Sequence, residues 1–149
     1  MTAVSKSELI DHIGWDLALA FARWKDRFHT LMLENGCPWV AEARGGLIQY
    51  IGPGGIAQNV LVQKSGLTKQ AVQQHLDHLT KEGVIKRQGD PDDARRKRVY
   101  LSDKGQEAAG IANDVKRQIE TEMERELGQA SFARLKAALQ QIARAASQD

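Results

Sequence analysis

Apolar residues recur at helical spacing through the first quarter of the chain, and this pattern predicts a long amphipathic helix. The helix follows Ser5 and Glu8, whose spacing is typical of a capping box, and it is expected to end near Gly36 and Pro38. Its apolar stripe consists of Leu9, Ile10, Ile13, Leu17, Phe21, Trp24, Phe28 and Leu31. The polar residues between these positions leave one face free to contact solvent.

The next segment predicts two shorter helices separated by a turn. Residues 40–51 are expected to form a helix in which Gly45 and Gly46 either permit close packing or mark a break, and we favour packing. The sequence Gly-Pro-Gly-Gly at 52–55 is a turn signal. A further helix is predicted over residues 56–65, before Gly66 turns the chain.

The helix predicted after Gly66 has two faces of different chemistry. Its buried face is marked at helical spacing by Leu67, Ala71, Val72, Leu76 and Leu79, and Gly83 is expected to end it. Its outer face offers Thr68, Lys69, Gln70, Gln73, Gln74 and His75. Hydroxyl, ammonium and amide groups bind base edges and phosphates, so this helix has the properties of a DNA-recognition helix.

Two short strands and two long helices are predicted in the second half of the chain. The strands cover residues 84–87 and Lys97–Leu101, and the polar loop 88–93 lies between them. Ser102 is placed to cap a long helix, which Gly128 interrupts before a last amphipathic helix. The predicted fold class is therefore mainly α with a small β-hairpin, an α+β arrangement.

Charge supports a nucleic-acid partner through its distribution. Between Lys64 and Lys104 there are ten Lys and Arg against six Asp and Glu, whereas the rest of the 149-residue chain has eleven against thirteen. The single cysteine excludes an internal disulfide and fits a reducing compartment. No apolar run approaches the length of a membrane span. We therefore expect a soluble, cytoplasmic protein of one domain with no membrane association.

Two stretches of the sequence resemble the MarR family of winged helix-turn-helix regulators. The first is Leu-Val-Gln-Lys-Ser-Gly-Leu-Thr at 61–68, followed by Leu-x-x-x-Gly-Val-Ile-x-Arg at 79–87. The second is residues 90–105, with an Asp-x-Arg at Asp93 and Arg95 and a Leu-Ser-x-x-Gly that ends at Gly105. The second stretch is the more specific, because its two motifs occur together in that family. The flanking helices match only in placement and amphipathicity.

This resemblance implies a single MarR-like domain that forms a homodimer on double-stranded DNA. Residues of about 40–105 would form the winged helix-turn-helix lobe, and those of about 5–35 and 106–146 the dimerisation helices. Two recognition helices would occupy successive major grooves of a pseudo-palindromic operator. Arg95 would enter the minor groove, held in place by Asp93. By position, the residues that face DNA would be Thr68, Lys69, Gln70, Gln73 and Gln74.

Several details of the interface are specific to this chain. Gln74 stands where family members often have arginine, and Gln70 where they often have a small residue, so the resemblance does not give the operator sequence. Arg96, beside Arg95 in the basic run, is expected to contact DNA, and His75 and His78 are expected to contact phosphates. His75 and His78 are three residues apart and would suit a metal ion, but no third ligand is apparent, so no metal site is predicted.

The predicted function is a transcriptional regulator, expected to be a dimeric repressor that a small aromatic or anionic effector releases from DNA. His12 and Trp15 are candidate effector-binding residues. One alternative is a winged-helix module for protein–protein assembly without DNA, and another is a redox-sensing regulator based on Cys37. No catalytic constellation, phosphate-binding glycine loop or cofactor motif is recognisable, so no enzyme activity and no cofactor are predicted.

Overall fold

A computed structural model describes residues 9–38 and 43–145. The predicted capping box at Ser5 and Glu8 lies outside these residues, as does Trp39. The fold class is confirmed, since helices dominate and one small antiparallel sheet is present. In chain order the elements are α1 (Ile13–Glu34), a 3₁₀ helix (Ala43–Tyr50), β1 (Ile56–Ala57), α2 (Gln58–Ser65), α3 (Lys69–Lys81), β2 (Ile85–Gly89), β3 (Lys97–Leu101), α4 (Asp103–Leu127) and α5 (Gln129–Ala145).

The sheet contains three strands, one more than the predicted hairpin. β3 lies in the centre and pairs antiparallel with both β1 and β2. Val99 pairs with Ile56 of β1 on one side and with Arg87 of β2 on the other. Residues 56 and 57 were predicted as the start of a helix. They form a strand instead, because their backbone is paired with Val99 and Arg98, more than forty residues further along the chain.

The apolar face of α3 forms the centre of the core. Val72, Leu76 and Leu79 have no exposed surface, and neither do Leu61 of α2 and Val99 of β3. Burying a side chain of this kind stabilises the fold by about 1.5–3 kcal/mol. Because this face is fixed against α2 and the sheet, the opposite face of α3 is held towards solvent. The core therefore determines which side chains of α3 a ligand meets.

A junction between α3 and α4 explains the Leu-Ser-x-x-Gly motif. Gly83 leaves α3 with φ +75°, a left-handed conformation that glycine adopts without strain. The Ser102 hydroxyl donates to the carbonyl of Gly83 and accepts from the backbone N–H of Gly105, which caps α4. A Cβ atom added at Gly105 would lie 2.0 Å from the carbonyl oxygen of Val84. The motif thus fixes the start of α4 against the end of the recognition helix.

α1 packs against α4 through an apolar contact and an ion pair. Leu31 and Met32 of α1 are buried, as are Val115 and Ile119 of α4. Arg27 donates two hydrogen bonds to the carboxylate of Glu122, from Nε to Oε2 at 2.9 Å and from Nη2 to Oε1 at 2.7 Å. These bonds lower the pKa of Glu122 to about 2. The two long helices are therefore joined at a defined register.

Three predicted boundaries differ from the structure. α1 begins at Ile13, with His12 at its N-cap, so Leu9 and Ile10 precede the helix. The helix predicted over residues 40–51 is a 3₁₀ helix over the described residues, and it continues through the glycine pair. Glycine is a poor α-helix former, and two in succession weaken the α-helical pattern. β2 extends two residues beyond the predicted strand, to Gly89.

The ends of the chain leave large apolar side chains uncovered. α5 has no buried residue along its 17 residues, although it is strongly amphipathic. On α5 and at the last residue of α4, the exposed large apolar residues are Leu127, Leu135, Leu139 and Ile142. The start of α1 and the residues before it expose Leu9, Ile10, Ile13, Trp15, Leu17, Leu19 and Phe21. Single-chain proteins rarely expose so large an apolar area.

Candidate nucleic-acid interface

The N-terminus of α3 presents polar side chains immediately after a tight turn. Gly66 ends α2 in a left-handed conformation with φ +68°, and α3 begins three residues later, at Lys69. The Thr68 hydroxyl accepts a hydrogen bond from the backbone N–H of Ala71 at 3.1 Å, which caps the helix. Thr68 therefore has a structural role at this position, while its side chain remains exposed.

The structure brings the sequence-predicted residues of α3 together on its outward side. Lys69, Gln70 and Gln74 are exposed, whereas Gln73 and His75 are half-buried. Helical spacing explains this difference, because Gln70 and Gln74 lie opposite the buried stripe and the other two lie on its flanks. The most accessible amides are therefore those of Gln70 and Gln74.

The Gln73 amide belongs to a hydrogen-bonded network that the sequence did not predict. Its Oε1 accepts from Nε2 of Gln58 at 2.7 Å, and its own Nε2 donates to Oδ1 of Asp77 at 3.2 Å. Asp77 also accepts from the guanidinium of Arg87 in β2, and this bond lowers the pKa of Asp77. Asp77 follows Gln73 by four residues, a spacing from which this contact was predictable. The contact between Gln58 and Gln73 has no such local spacing, and the sequence does not predict it.

The tip of the wing, residues 90–96 between β2 and β3, is a tight turn closed by backbone bonds. The N–H of Asp90 donates to the carbonyl of Arg96 at 2.9 Å, and the N–H of Arg96 donates to the carbonyl of Asp93 at 3.0 Å. The Asp93 carboxylate accepts from the backbone N–H of Arg95 at 3.0 Å. These bonds hold Arg95 and Arg96 at the exposed tip.

The contact between Asp93 and Arg95 differs from the prediction in one respect. Asp93 was expected to hold the side chain of Arg95, but it binds the backbone N–H of that residue. The nearest guanidinium to Asp93 is that of Arg96, at 3.7 Å. Within the part of the chain that the structure describes, the Arg95 guanidinium has no hydrogen bond or ion pair. It is therefore available to a ligand.

The last residue of the basic run has a structural role. Arg98 donates to the carbonyls of Gly54 and Gly55, at 3.0 and 3.3 Å, and lies 3.9 Å from the carboxylate of Asp90. Its guanidinium thus joins the turn before β1 to the base of the wing. The run Arg95-Arg96-Lys97-Arg98 is consequently divided, with three exposed cations towards the tip and one half-buried cation at the base.

Cys37 has the properties of a structural thiol. It is buried, and its Sγ lies 3.8 Å from the carbonyl oxygen of Asn35. Burial raises the pKa of the Cys37 thiol, and Glu107 raises it further, while Lys104 opposes them. A redox sensor requires an exposed thiolate with a lowered pKa. The geometry therefore argues against the redox-sensing alternative.

The two predicted effector residues lie close together on the surface of the single chain. The rings of His12 and Trp15 lie 5.5 Å apart at a tilted angle, and both side chains are exposed. A cleft of about 600 Å³ lies elsewhere, between the turn after the 3₁₀ helix, β3 and α4. Its lining includes Pro53, Tyr100, Gln106 and Asn113.

The described residues offer no evidence for a metal centre. No group of three His, Cys, Asp or Glu within residues 9–38 and 43–145 is arranged to hold a metal ion. His75 is half-buried and His78 is exposed on α3. None of the described helices combines the length and the apolar character needed to cross a lipid bilayer.

Comparison with known proteins shows that the winged lobe is similar to one sequence family. Residues 46–96 match the sequence model of the MarR family. This match covers the 3₁₀ helix from Gly46 onward, β1, α2, α3, β2 and the wing tip. Among curated proteins, none matches the sequence.

Solved structures of transcriptional regulators match the whole fold. A crystal structure of MarR is 18% identical with a TM-score of 0.75, and the alignment covers 93% of this chain and 100% of that one. A probable transcriptional regulator from Pseudomonas aeruginosa is 25% identical with a TM-score of 0.72, covering 89% of this chain and 97% of that one. The transcriptional repressor CouR, bound to a 23-mer DNA duplex, is 23% identical with a TM-score of 0.74, covering 92% and 99%. The predicted resemblance to MarR-type regulators is thereby confirmed.

Proposed function

We propose that this chain, which shares the winged lobe and the fold of the MarR family, is a sequence-specific DNA-binding transcriptional regulator. The observation that carries this proposal is the pairing of two exposed elements of complementary chemistry. α3 presents the accessible amides of Gln70 and Gln74, and the wing tip presents the uncommitted guanidinium of Arg95. Amides read base edges in the major groove, and arginine is attracted to the negative potential of a narrow minor groove.

The two elements are proposed to contact DNA in different grooves. The outward side of α3 would enter the major groove, where Lys69, Gln70, Gln73 and Gln74 reach bases or phosphates. Arg95 would enter the adjacent minor groove, while Arg96 neutralises a phosphate. A CouR complex with a 23-mer duplex supports DNA as the partner of this fold. A winged module for protein–protein assembly would be better served by an apolar or acidic face, and the outward side of α3 is neither.

We propose that the functional unit is a homodimer joined through both ends of the chain. The support is the large apolar area left uncovered on α5 and around the start of α1. A second copy would cover both areas across a two-fold axis, in an isologous interface. Light scattering at micromolar concentration should return twice the chain mass of 16.5 kDa. A mass of one chain would contradict the proposal.

The DNA-binding proposal is tested by selecting duplexes from a random pool with the full-length protein. The expected result is enrichment of a pseudo-palindromic site whose half-sites are about one helical turn apart. Fluorescence anisotropy on that site should then show an affinity that falls steeply as salt is raised. Failure to retain any duplex at low salt would refute DNA binding and favour the protein-assembly alternative.

We further propose that the regulator is a repressor released by a small aromatic or anionic effector. The cleft lined by Pro53, Tyr100 and Asn113 supports this, since it adjoins both the wing strand β3 and α4. A ligand that binds better to the DNA-free geometry would shift the population away from operator binding. Benzoate is a suitable probe: operator release at millimolar benzoate would support effector control by aromatic anions, and its absence would exclude that class.

A further inference from the structure

We propose that Gln58 is a specificity-determining residue, which acts by holding the amide of Gln73 in one of its two orientations. This inference rests on the proposed DNA-binding function. It concerns a residue at the start of α2, outside the recognition helix and outside the wing. The observation behind it is the network that joins Gln58, Gln73, Asp77 and Arg87 across α2, α3 and β2.

The donors and acceptors of the network allow only one arrangement of its hydrogen bonds. Arg87 carries only hydrogen-bond donors, and the ionised carboxylate of Asp77 carries only acceptors. Gln73 must therefore turn its Nε2 towards Asp77, since its Oε1 would be repelled there. That leaves Oε1 of Gln73 facing Gln58, which must offer its own Nε2 at 2.7 Å. Both ends of the Gln73 amide are thus fixed by neighbours outside the DNA.

The hydrogen bond from Gln58 to Gln73 leaves one polar atom of Gln58 without a partner within residues 9–38 and 43–145. Its Oε1 is buried and has no hydrogen-bond partner among the described residues. A half-turn of the Gln58 amide would not remove this cost, because two amide oxygens would then face each other. A buried acceptor without a partner is unfavourable. The arrangement therefore constrains Gln58 to one orientation as well.

A fixed amide at Gln73 reads adenine in preference to guanine. Each end of the amide has one bond within the protein, which leaves one N–H and one lone pair for a base. Adenine offers the matching pair in the major groove, a donor at N6 and an acceptor at N7, whereas guanine offers two acceptors. An amide that rotates freely would meet guanine by turning its amino group towards it. The network prevents that rotation, so it restricts the choice of base.

The experiment measures base preference at one position of the selected operator with full-length protein. Gln73→Ala first identifies the base pair that Gln73 reads, by loss of preference there. A good bidentate contact gives a preference of roughly 5- to 150-fold for the correct base. Gln58→Met keeps the length of the side chain and removes its amide. Asp77 still binds Nε2 of Gln73 in this variant, so we expect the adenine preference at the same base pair to be reduced and the preferences at all others to be kept.

Gln63→Met is the matched control, because Gln63 is an exposed glutamine of the same helix that forms no hydrogen bond with Gln73 in the described part of the chain. The Gln63→Met protein should keep its adenine preference at the base pair that Gln73 reads, even if its affinity for DNA falls uniformly. Asp77→Asn serves as a second variant, and the side chain of Asp77 is 51% exposed. An asparagine there both donates and accepts, so it no longer dictates the orientation of Gln73, and preference should fall at the same position.

The outcomes separate this inference from the function it rests on. Loss of preference at the Gln73 base pair in both Gln58→Met and Asp77→Asn supports the positioning role. A uniform loss of affinity in Gln58→Met with adenine preference intact would show a purely structural role and overturn it. So would a Gln73→Ala variant with wild-type preferences at every position. If the wild-type protein bound no duplex at all, the proposed function itself would fail.

Discussion

Replacing Gly105 with alanine should destabilise the protein by at least about 2 kcal/mol, because the added methyl group has no space. The new Cβ would lie 2.0 Å from the carbonyl oxygen of Val84 and 3.0 Å from its carbonyl carbon. Ordinary contacts begin at 3.4 Å, so the backbone at the junction would have to move by more than about 1 Å. That carbonyl also accepts the N–H of Ser102 at 3.0 Å, and the displacement would disturb this bond. The better helix propensity of alanine, about 1 kcal/mol, offsets only part of the loss.

Gly110→Ala provides the matched control within the same helix. Gly110 is exposed, and an added Cβ would meet nothing within 4 Å, so alanine should stabilise α4 by about 0.5–1 kcal/mol. Urea unfolding of both variants at equal protein concentration gives the two free energies of unfolding. Replacing glycine with alanine should thus lower the free energy of unfolding at one position and raise it at another five residues away. Equal stabilisation by both would refute the close packing of α4 against the end of α3.

Three further predictions follow from the described contacts. Glu122 has a pKa of about 2, against an ordinary value of 4.5. Its pair with Arg27 therefore stabilises the fold above about pH 4.5, and this stabilisation is lost as the pH falls towards 2. The difference in urea midpoint between wild type and Glu122→Gln should vanish over the same range. Arg95→Ala should weaken binding to many sequences and reduce the slope of log affinity against log salt by about one unit, and an unchanged slope would mean that the wing does not touch DNA. Cys37→Ser should leave the response of DNA binding to peroxide unchanged, since the pKa of the buried thiol is raised, and a peroxide effect that only the wild type shows would contradict this.

Helix ends and the buried face of α3 were predictable from the sequence because their signals are local. Ser102 caps α4 as its position indicated, and Gly83 and Gly128 adopt the positive φ angles expected after a helix. The stripe through Val72, Leu76 and Leu79 follows from helical spacing alone. These features depend on residues within four positions of one another, so a single sequence is enough to find them.

Features that depend on distant parts of the chain were not predictable in the same way. The strand at Ile56 and Ala57 is only two residues long, and its existence depends on pairing with β3. The hydrogen bond from Gln58 to Gln73 joins residues fifteen apart on different helices, and no sequence pattern predicts a contact between two such glutamines. The Arg98 guanidinium was counted with the basic run, although the fold brings Gly54 and Gly55 against it.

In the proposed homodimer, the absence of buried residues on α5 would make DNA binding depend on the abundance of the protein in the cell. A helix whose own subunit covers none of its side chains completely gains little from folding alone, and its apolar face is stabilised only when a partner is present. Association of two copies obeys mass action, so the concentration of dimer rises with the square of the free chain concentration. Operator occupancy would therefore respond to synthesis and degradation of the regulator more steeply than a monomeric DNA-binding protein allows. A modest change in expression level would act as a signal in its own right.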